Sequence, residues 1–222
     1  PTEITQNFNL LEDEGISFIE TSHRTAFLVT TKGRVFSWGL NDYNQLGFDS
    51  NGATVITPTE VTDLIPFTED DEEVVEISAG INSTVILTNW NNVFVVGFNE
   101  SSQLFNPDLS VVEEFTLVND NFDLYEDERI VSVKAGSQAT AYLTNYNYVY
   151  TVGANYDFEL GNGVTDQSYQ TSEPYIVIEG VYVEKAQDLF IKRINERYNF
   201  LLQEGYGSSR RQPTYKNDLK TL

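Results

Sequence analysis

The 222-residue sequence contains no cysteine, no methionine and a single histidine, His23. The missing thiols exclude a disulfide scaffold, a thiolate zinc or iron–sulfur site and a cysteine nucleophile. One imidazole leaves little room for a histidine-based metal site or a Ser–His–Asp triad. No apolar run approaches the roughly 20 residues that a membrane-spanning helix needs, and the opening residues carry no basic-then-apolar leader pattern. Cations are scarce as well: 13 Lys and Arg face 34 Asp and Glu, for a formal net charge of −21. That balance disfavours nonspecific binding of nucleic acid or anionic membrane, which requires clustered Lys and Arg. The expectation is a non-enzymatic, intracellular protein, cytoplasmic or nuclear, with protein partners and no nucleic acid, membrane insertion, cofactor or metal.

What is present points to a packed fold. Hydrophobic residues make up 40% of the chain, with 14 Phe and 13 Tyr, which is not the composition of a disordered polymer. The length suffices to bury a sizeable core. Charge is distributed unevenly: residues 185–222 carry eight cations and four anions, a net +4, leaving −25 on residues 1–184. Two surfaces with different partners are implied.

An internal repeat organises the chain. Residues 25–39, TAFLVTTKGRVFSWG, align without gaps to 83–97, STVILTNWNNVFVVG, and to 139–153, ATAYLTNYNYVYTVG. The closing glycines, Gly39, Gly97 and Gly153, recur at spacings of 58 and 56 residues. Each unit reads as a β-hairpin: a β-rich run (26–30, 84–88, 140–144), a polar turn (31–33, 89–91, 145–147) and a second run (35–38, 93–96, 149–152). A small pair precedes each hairpin (Thr21-Ser22, Ala79-Gly80, Ala135-Gly136), where the chain is expected to pass close to a neighbour. Behind each hairpin comes a loop and a leucine motif, Asn44–Gly47, Ser102–Phe105 and Phe158–Gly161. A decayed fourth unit fits Leu189–Ile194, Asn195–Arg197 and Tyr198–Leu202, although Asp188–Gln203 also reads as an amphipathic helix.

At these residues the sequence resembles the RCC1 (regulator of chromosome condensation) repeat family. The first unit carries the pattern best, with His23, Thr25, Ala26, Leu28, Lys32-Gly33, Val35, Trp38-Gly39, Asn41 and Gln45-Leu46-Gly47. The later units replace the turn glycine by Asn91 and Asn147, residues that tolerate left-handed backbone angles. The resemblance implies an all-β fold of RCC1-like β-propeller blades, each a four-stranded antiparallel sheet. Full propellers of that family have seven repeats, so three to four here imply an incomplete ring with open strand edges. The expected division is an N-terminal segment 1–15, repeats at 16–73, 74–130 and 131–180, a degenerate fourth at 181–205, and a basic arm at 206–222.

No catalytic, cofactor-binding or metal constellation emerges. The acidic runs Glu69–Glu73 and Glu126–Glu128 lack the spacing of a calcium loop and read as solvated charge. Gly205–Arg211 is glycine-rich and basic but lacks phosphate-loop spacing. His23 is expected to brace its turn by a hydrogen bond, and Trp38 to pack between blades. Light-sensing family members use clustered tryptophans, whereas this chain has only Trp38 and Trp90, on different elements. The expected partner-binding residues are Asn41, Asp42, Tyr43, Asn99, Glu100, Asn155 and Tyr156 in the loops, Trp90 in a turn, and Arg210 and Arg211 in the arm. The function expected is a non-catalytic interaction or scaffold module, a subunit of a larger assembly; the incomplete ring is open to three readings, an excised fragment, a half-ring completed by another chain, or an open arc capped by its own termini. The family name suggests an alternative, a guanine-nucleotide exchange factor for a Ran-like small GTPase.

Overall fold

The computed structural model describes residues 3–106 and 110–163 and the strand at 170–178; the side chains of that strand lie outside the description. Apart from short 3-10 turns, its regular elements are strands. They form three antiparallel four-stranded sheets in strict chain order. The first blade holds β1 (Ile16–Thr21), β2 (Thr25–Thr30), β3 (Val35–Gly39) and β4 (Val55–Glu60). The second holds β5 (Val74–Ala79), β6 (Ser83–Thr88), β7 (Val93–Phe98) and β8 (Val111–Leu117). The third holds β9 (Ile130–Ala135), β10 (Ala139–Thr144), β11 (Tyr148–Ala154) and β12 (Gln170–Ile178). The four-stranded blade is the propeller unit that the family resemblance implied.

The gapless sequence repeat is a repeat of register. Thr25 faces Gly39, Ser83 faces Gly97 and Ala139 faces Gly153 across the β2–β3, β6–β7 and β10–β11 ladders. The three turns bend through left-handed residues at equivalent positions, Gly33 (φ 75°), Asn91 (φ 60°) and Asn147 (φ 61°). Asparagine thus replaces glycine where its side chain permits the same backbone.

Alternation along each strand assigns its two faces. Phe27, Val29 and Val35 of the first blade meet Ile77, Ile86, Phe94 and Val96 of the second in one buried cluster, plugged by Leu46. On the opposite face of the first blade, Leu28 and Phe36 are covered by Phe8 of the N-terminal segment, with Leu10 and Trp38 alongside. Phe8 meets Phe36 edge-on at 5.3 Å and Trp38 at 5.7 Å. Trp38 therefore packs under the N-terminal segment and not between blades; strand parity sends position 38 to the face away from the second blade.

Neighbouring blades are also tied by polar contacts. The Thr84 hydroxyl donates to the Gln45 carbonyl at 2.8 Å, and Ala135 N donates to Ser78 Oγ at 2.9 Å. The Glu76 carboxylate accepts from the Ser132 hydroxyl (3.2 Å) and Val133 N (3.3 Å), and pairs with Lys134. Gly80 lies so close to the third blade that a Cβ there would stand 2.3 Å from the Gly136 carbonyl oxygen. This is the close passage expected of the small pairs.

Candidate functional site

The antiparallel order sorts the connections onto two faces. The β1–β2, β5–β6 and β9–β10 turns share one face with the long loops that follow β3, β7 and β11. The hairpin turns after β2, β6 and β10 share the other with the links between blades. The expected contact residues are thereby divided: Asp42, Tyr43, Glu100 and Tyr156 lie on the loop face, and Trp90 on the turn face.

Each loop is built around one buried asparagine. Asn41 Oδ1 accepts from Leu46 N (2.9 Å), while its Nδ2 donates to the Phe48 carbonyl (2.7 Å) and Ser50 Oγ (3.0 Å). Asn99 Oδ1 accepts from Leu104 N (2.7 Å) and Asn155 Oδ1 from Leu160 N (3.2 Å). All three asparagines are buried, as are Leu46, Leu104 and Leu160. Asn41, Asn99 and Asn155 were expected to contact a partner; they are instead the internal braces of their loops, since a buried amide must spend its donors and acceptors inside.

The next residue in each loop faces outward. Asp42, Glu100 and Tyr156 occupy the same station on the three blades, and all three are exposed. Tyr43 is half-buried and packs edge-on against Phe98 of the next blade, with centroids 4.9 Å apart. Phe158 and Tyr156 add exposed aromatic area beside the third loop. The loop face is therefore a rim of carboxylates and aromatic rings held by buried amides. His23 is exposed on this face and braces nothing among the described residues. The turn is held instead by Ser22, whose hydroxyl bonds Thr25 Oγ1 at 2.7 Å and accepts from Thr25 N at 3.3 Å.

The turn face contains a repeated feature that spacing alone could have revealed. Glu14, Glu72 and Glu128 recur at spacings of 58 and 56 residues, each preceded by aspartate, just ahead of β1, β5 and β9. Two of the three lie inside the runs read as solvated charge. Glu69, Asp70, Asp71 and Glu73 are exposed, but Glu72 is buried. Its Oε1 accepts from the Thr88 hydroxyl (2.6 Å) and Asn92 Nδ2 (2.9 Å), and its Oε2 from Thr68 N (2.6 Å) and the Thr68 hydroxyl (3.1 Å). Burial opposes its charge, yet the bonds from Thr88, Thr68 and Asn92 together hold its pKa below the ordinary carboxylate range. Glu14 is served by Leu11 N at 2.7 Å and by Arg34 at 2.9 Å. Arg34 also forks onto Glu60 through Nε (3.0 Å) and Nη2 (2.7 Å), lying over the Phe36 ring at 4.8 Å.

A carboxyl whose acidity is raised by folding stabilises the fold above its unfolded pKa and ceases to do so as pH falls through its folded pKa. Glu72→Gln is accordingly expected to be less stable than wild type near pH 7. The gap should close as pH drops below about 4, where the unfolded-state carboxyl is already protonated. Urea unfolding of both proteins across pH 2.5–7 tests this; a gap independent of pH would refute the charge-based account.

Among the described residues no cluster of His, Asp and Glu can hold a metal ion. None of the described helices is long and apolar enough to cross a membrane. Arg210, Arg211 and the proposed fourth repeat lie outside the described residues.

Sequential four-stranded blades with equivalent loop braces define a propeller-type repeat protein. Residues 32–87 match the regulator of chromosome condensation (RCC1) repeat. It is 26% identical to an RCC1 repeat-containing protein of Dictyostelium discoideum, over 67% of this chain and 30% of that protein. It is 32% identical to the ultraviolet-B receptor UVR8 of Arabidopsis thaliana, over 46% of this chain and 22% of the receptor. Among solved structures, yeast RCC1 (Prp20) bound to Kap60 superposes with a TM-score of 0.62 at 20% identity, covering 74% of this chain and 37% of that one. Human WBSCR16 superposes with the same TM-score at 15% identity, covering 77% and 41%. The chain spans less than a third of the length of these curated relatives.

Proposed function

We propose that this chain is a non-catalytic protein-interaction module that docks a basic partner on its loop face. The observation carrying this reading is the repeated outward station, Asp42, Glu100 and Tyr156, flanked by Tyr43 and set on buried asparagines. Rings anchored on a rigid frame lose little entropy on binding, and carboxylates around them select cationic surfaces. The deficit of cations on residues 1–184 acts in the same direction over longer range. In this reading the repeats fall at 16–73, 74–130 and 131–180, with a fourth at 181–205 and a basic docking arm at 206–222. The remaining ring edges are met by further blades or by another chain of an assembly.

Replacing Asp42 and Glu100 by Lys and Tyr156 by Ala should remove the basic proteins captured by the wild type from cells of its source, with the β circular dichroism unchanged. Identical capture sets would eliminate the loop face. The Arg210→Glu, Arg211→Glu double substitution tests the arm in the same way. A second reading, nucleotide exchange on a small GTPase, is favoured by a relative named X-linked retinitis pigmentosa GTPase regulator, from dog, 28% identical over 65% of this chain and 14% of that protein. Accelerated nucleotide release from a Ran-like GTPase by catalytic amounts of the protein would replace the scaffold reading.

A further inference from the structure

The third blade departs from the second at one buried carboxylate. Glu128 occupies the station of Glu72 and is 6% exposed. Its Oε2 accepts from Tyr125 N at 3.2 Å, as Glu72 Oε2 accepts from Thr68 N. Of the other donors, the Asn92 amide gives way to Tyr148, no Thr68-type hydroxyl bonds the carboxylate, and Thr144 keeps the Thr88 hydroxyl without bonding Glu128 Oε1. Glu128 Oε1 is left buried with no hydrogen-bond donor. Such an oxygen is costly to keep unless a donor is supplied to it.

A place for that donor exists. Glu128 lines a cleft of about 280 Å³ with Trp90, Asn91 and Asn119 of the second blade and Glu126, Asp127 and Arg129 of the third. Trp90 is half-exposed, and its Nε1 donates to Asp71 Oδ1 at 3.0 Å, which fixes the indole by its edge. Among the described residues no ring and no cation lies against its face; the cation stacked on an aromatic ring is Arg34, on Phe36. Around the cleft stand Asp71, Glu126, Asp127 and Glu128 against Arg129, an excess of negative charge. A fixed indole, an unserved buried carboxylate and a negative rim together suit one ligand group. A guanidinium stacks on indole through its flat face while donating from its edge, and it supplies the charge-assisted bond that a carboxylate oxygen lacks.

We propose that this cleft receives an arginine side chain from a partner protein, stacked on Trp90 and donating to Glu128. The proposal deepens the interaction-module reading on the opposite face, and it stands or falls without the loop rim. Its test is a titration of the whole ¹⁵N-labelled chain with a capped twelve-residue Gly/Ser peptide bearing one central Arg, followed at the indole N–H signals. Trp90 should shift saturably and Trp38, covered by Phe8, should not. The citrulline counterpart, isosteric but uncharged, should leave both signals unmoved, and the Lys counterpart should bind more weakly. Glu128→Gln should weaken the Arg peptide about tenfold, the scale of one charge-assisted hydrogen bond. Trp90→Leu, in an exposed turn where folding is not at stake, should weaken it to a similar degree as read by backbone amides of 126–130. Absence of a Trp90 shift, equal response to citrulline or lysine, or unchanged affinity in the Trp90→Leu protein would overturn the assignment.

Discussion

Gly97→Ala is expected to cost the fold at least about 3 kcal/mol. Gly97 adopts φ 111°, and an added Cβ would lie 2.5 Å from the Asn82 carbonyl oxygen and 2.9 Å from Ser83 Cα. Neither neighbour can retreat, because that carbonyl accepts from Phe98 N at 2.9 Å and Ser83 is registered against Gly97 in the ladder. The left-handed backbone alone costs an alanine roughly 1–3 kcal/mol, and overlap with fixed backbone adds at least as much. Against a typical net stability of about 5–15 kcal/mol, that is a large fraction. Gly52→Ala isolates the first term: Gly52 has φ 69° with nothing within 4 Å of an added Cβ. Urea midpoints should show a loss near 1 kcal/mol for Gly52→Ala and at least three times that for Gly97→Ala. Similar losses would mean that backbone angle, not contact with the facing strand, dictates the blade glycines.

Phe94→Ala should cost about 3–5 kcal/mol, the range for a deleted core phenylalanine. Phe94 is fully buried between the first two blades and meets Phe67 edge-on at 6.3 Å. At roughly 2–4 °C per kcal/mol for a chain of this size, the thermal midpoint should fall by about 10 °C. Leu143→Ala is the contrast. Leu143 sits at the station of Leu87, but it is 36% exposed where Leu87 is 3%. Its truncation removes less buried area and should cost under half as much as Leu87→Ala. Equal losses at the two stations would show that Leu143 is as well covered in solution as Leu87.

The hairpins and their register were legible because each repeat preserves strand parity, turn length and one closing glycine. Asn91 and Asn147 were legible too, since the position demands a left-handed residue and few types supply one. The error at Asn41, Asn99 and Asn155 arose from treating loop polarity as exposure. A loop of this length needs an internal hydrogen-bonding hub, and the residue after the asparagine, not the asparagine itself, reaches solvent. Glu72 and Glu128 escaped notice inside acidic runs, where composition hides position; aligning Asp13-Glu14 with Asp71-Glu72 and Asp127-Glu128 exposes them. Trp38 was assigned to the wrong side because nothing in the repeat announces that Phe8 and Leu10 double back over the first blade.

That doubling back gives the molecule a direction in time. A ribosome delivers Phe8 and Leu10 before Leu28, Phe36 and Trp38, so the first blade finds its cover already waiting when its own strands emerge. Every later blade then condenses onto a finished neighbour, with coupling confined to adjacent units. The exchange of backbone amides with deuterium should keep that order in reverse, being slowest in β6 and β7, slow in the covered β2 and β3, and fastest in β10, where Ala141 and Leu143 are less sheltered. An inconspicuous aromatic ahead of the first blade is thus a chain-order device: it is in place before the strands it covers.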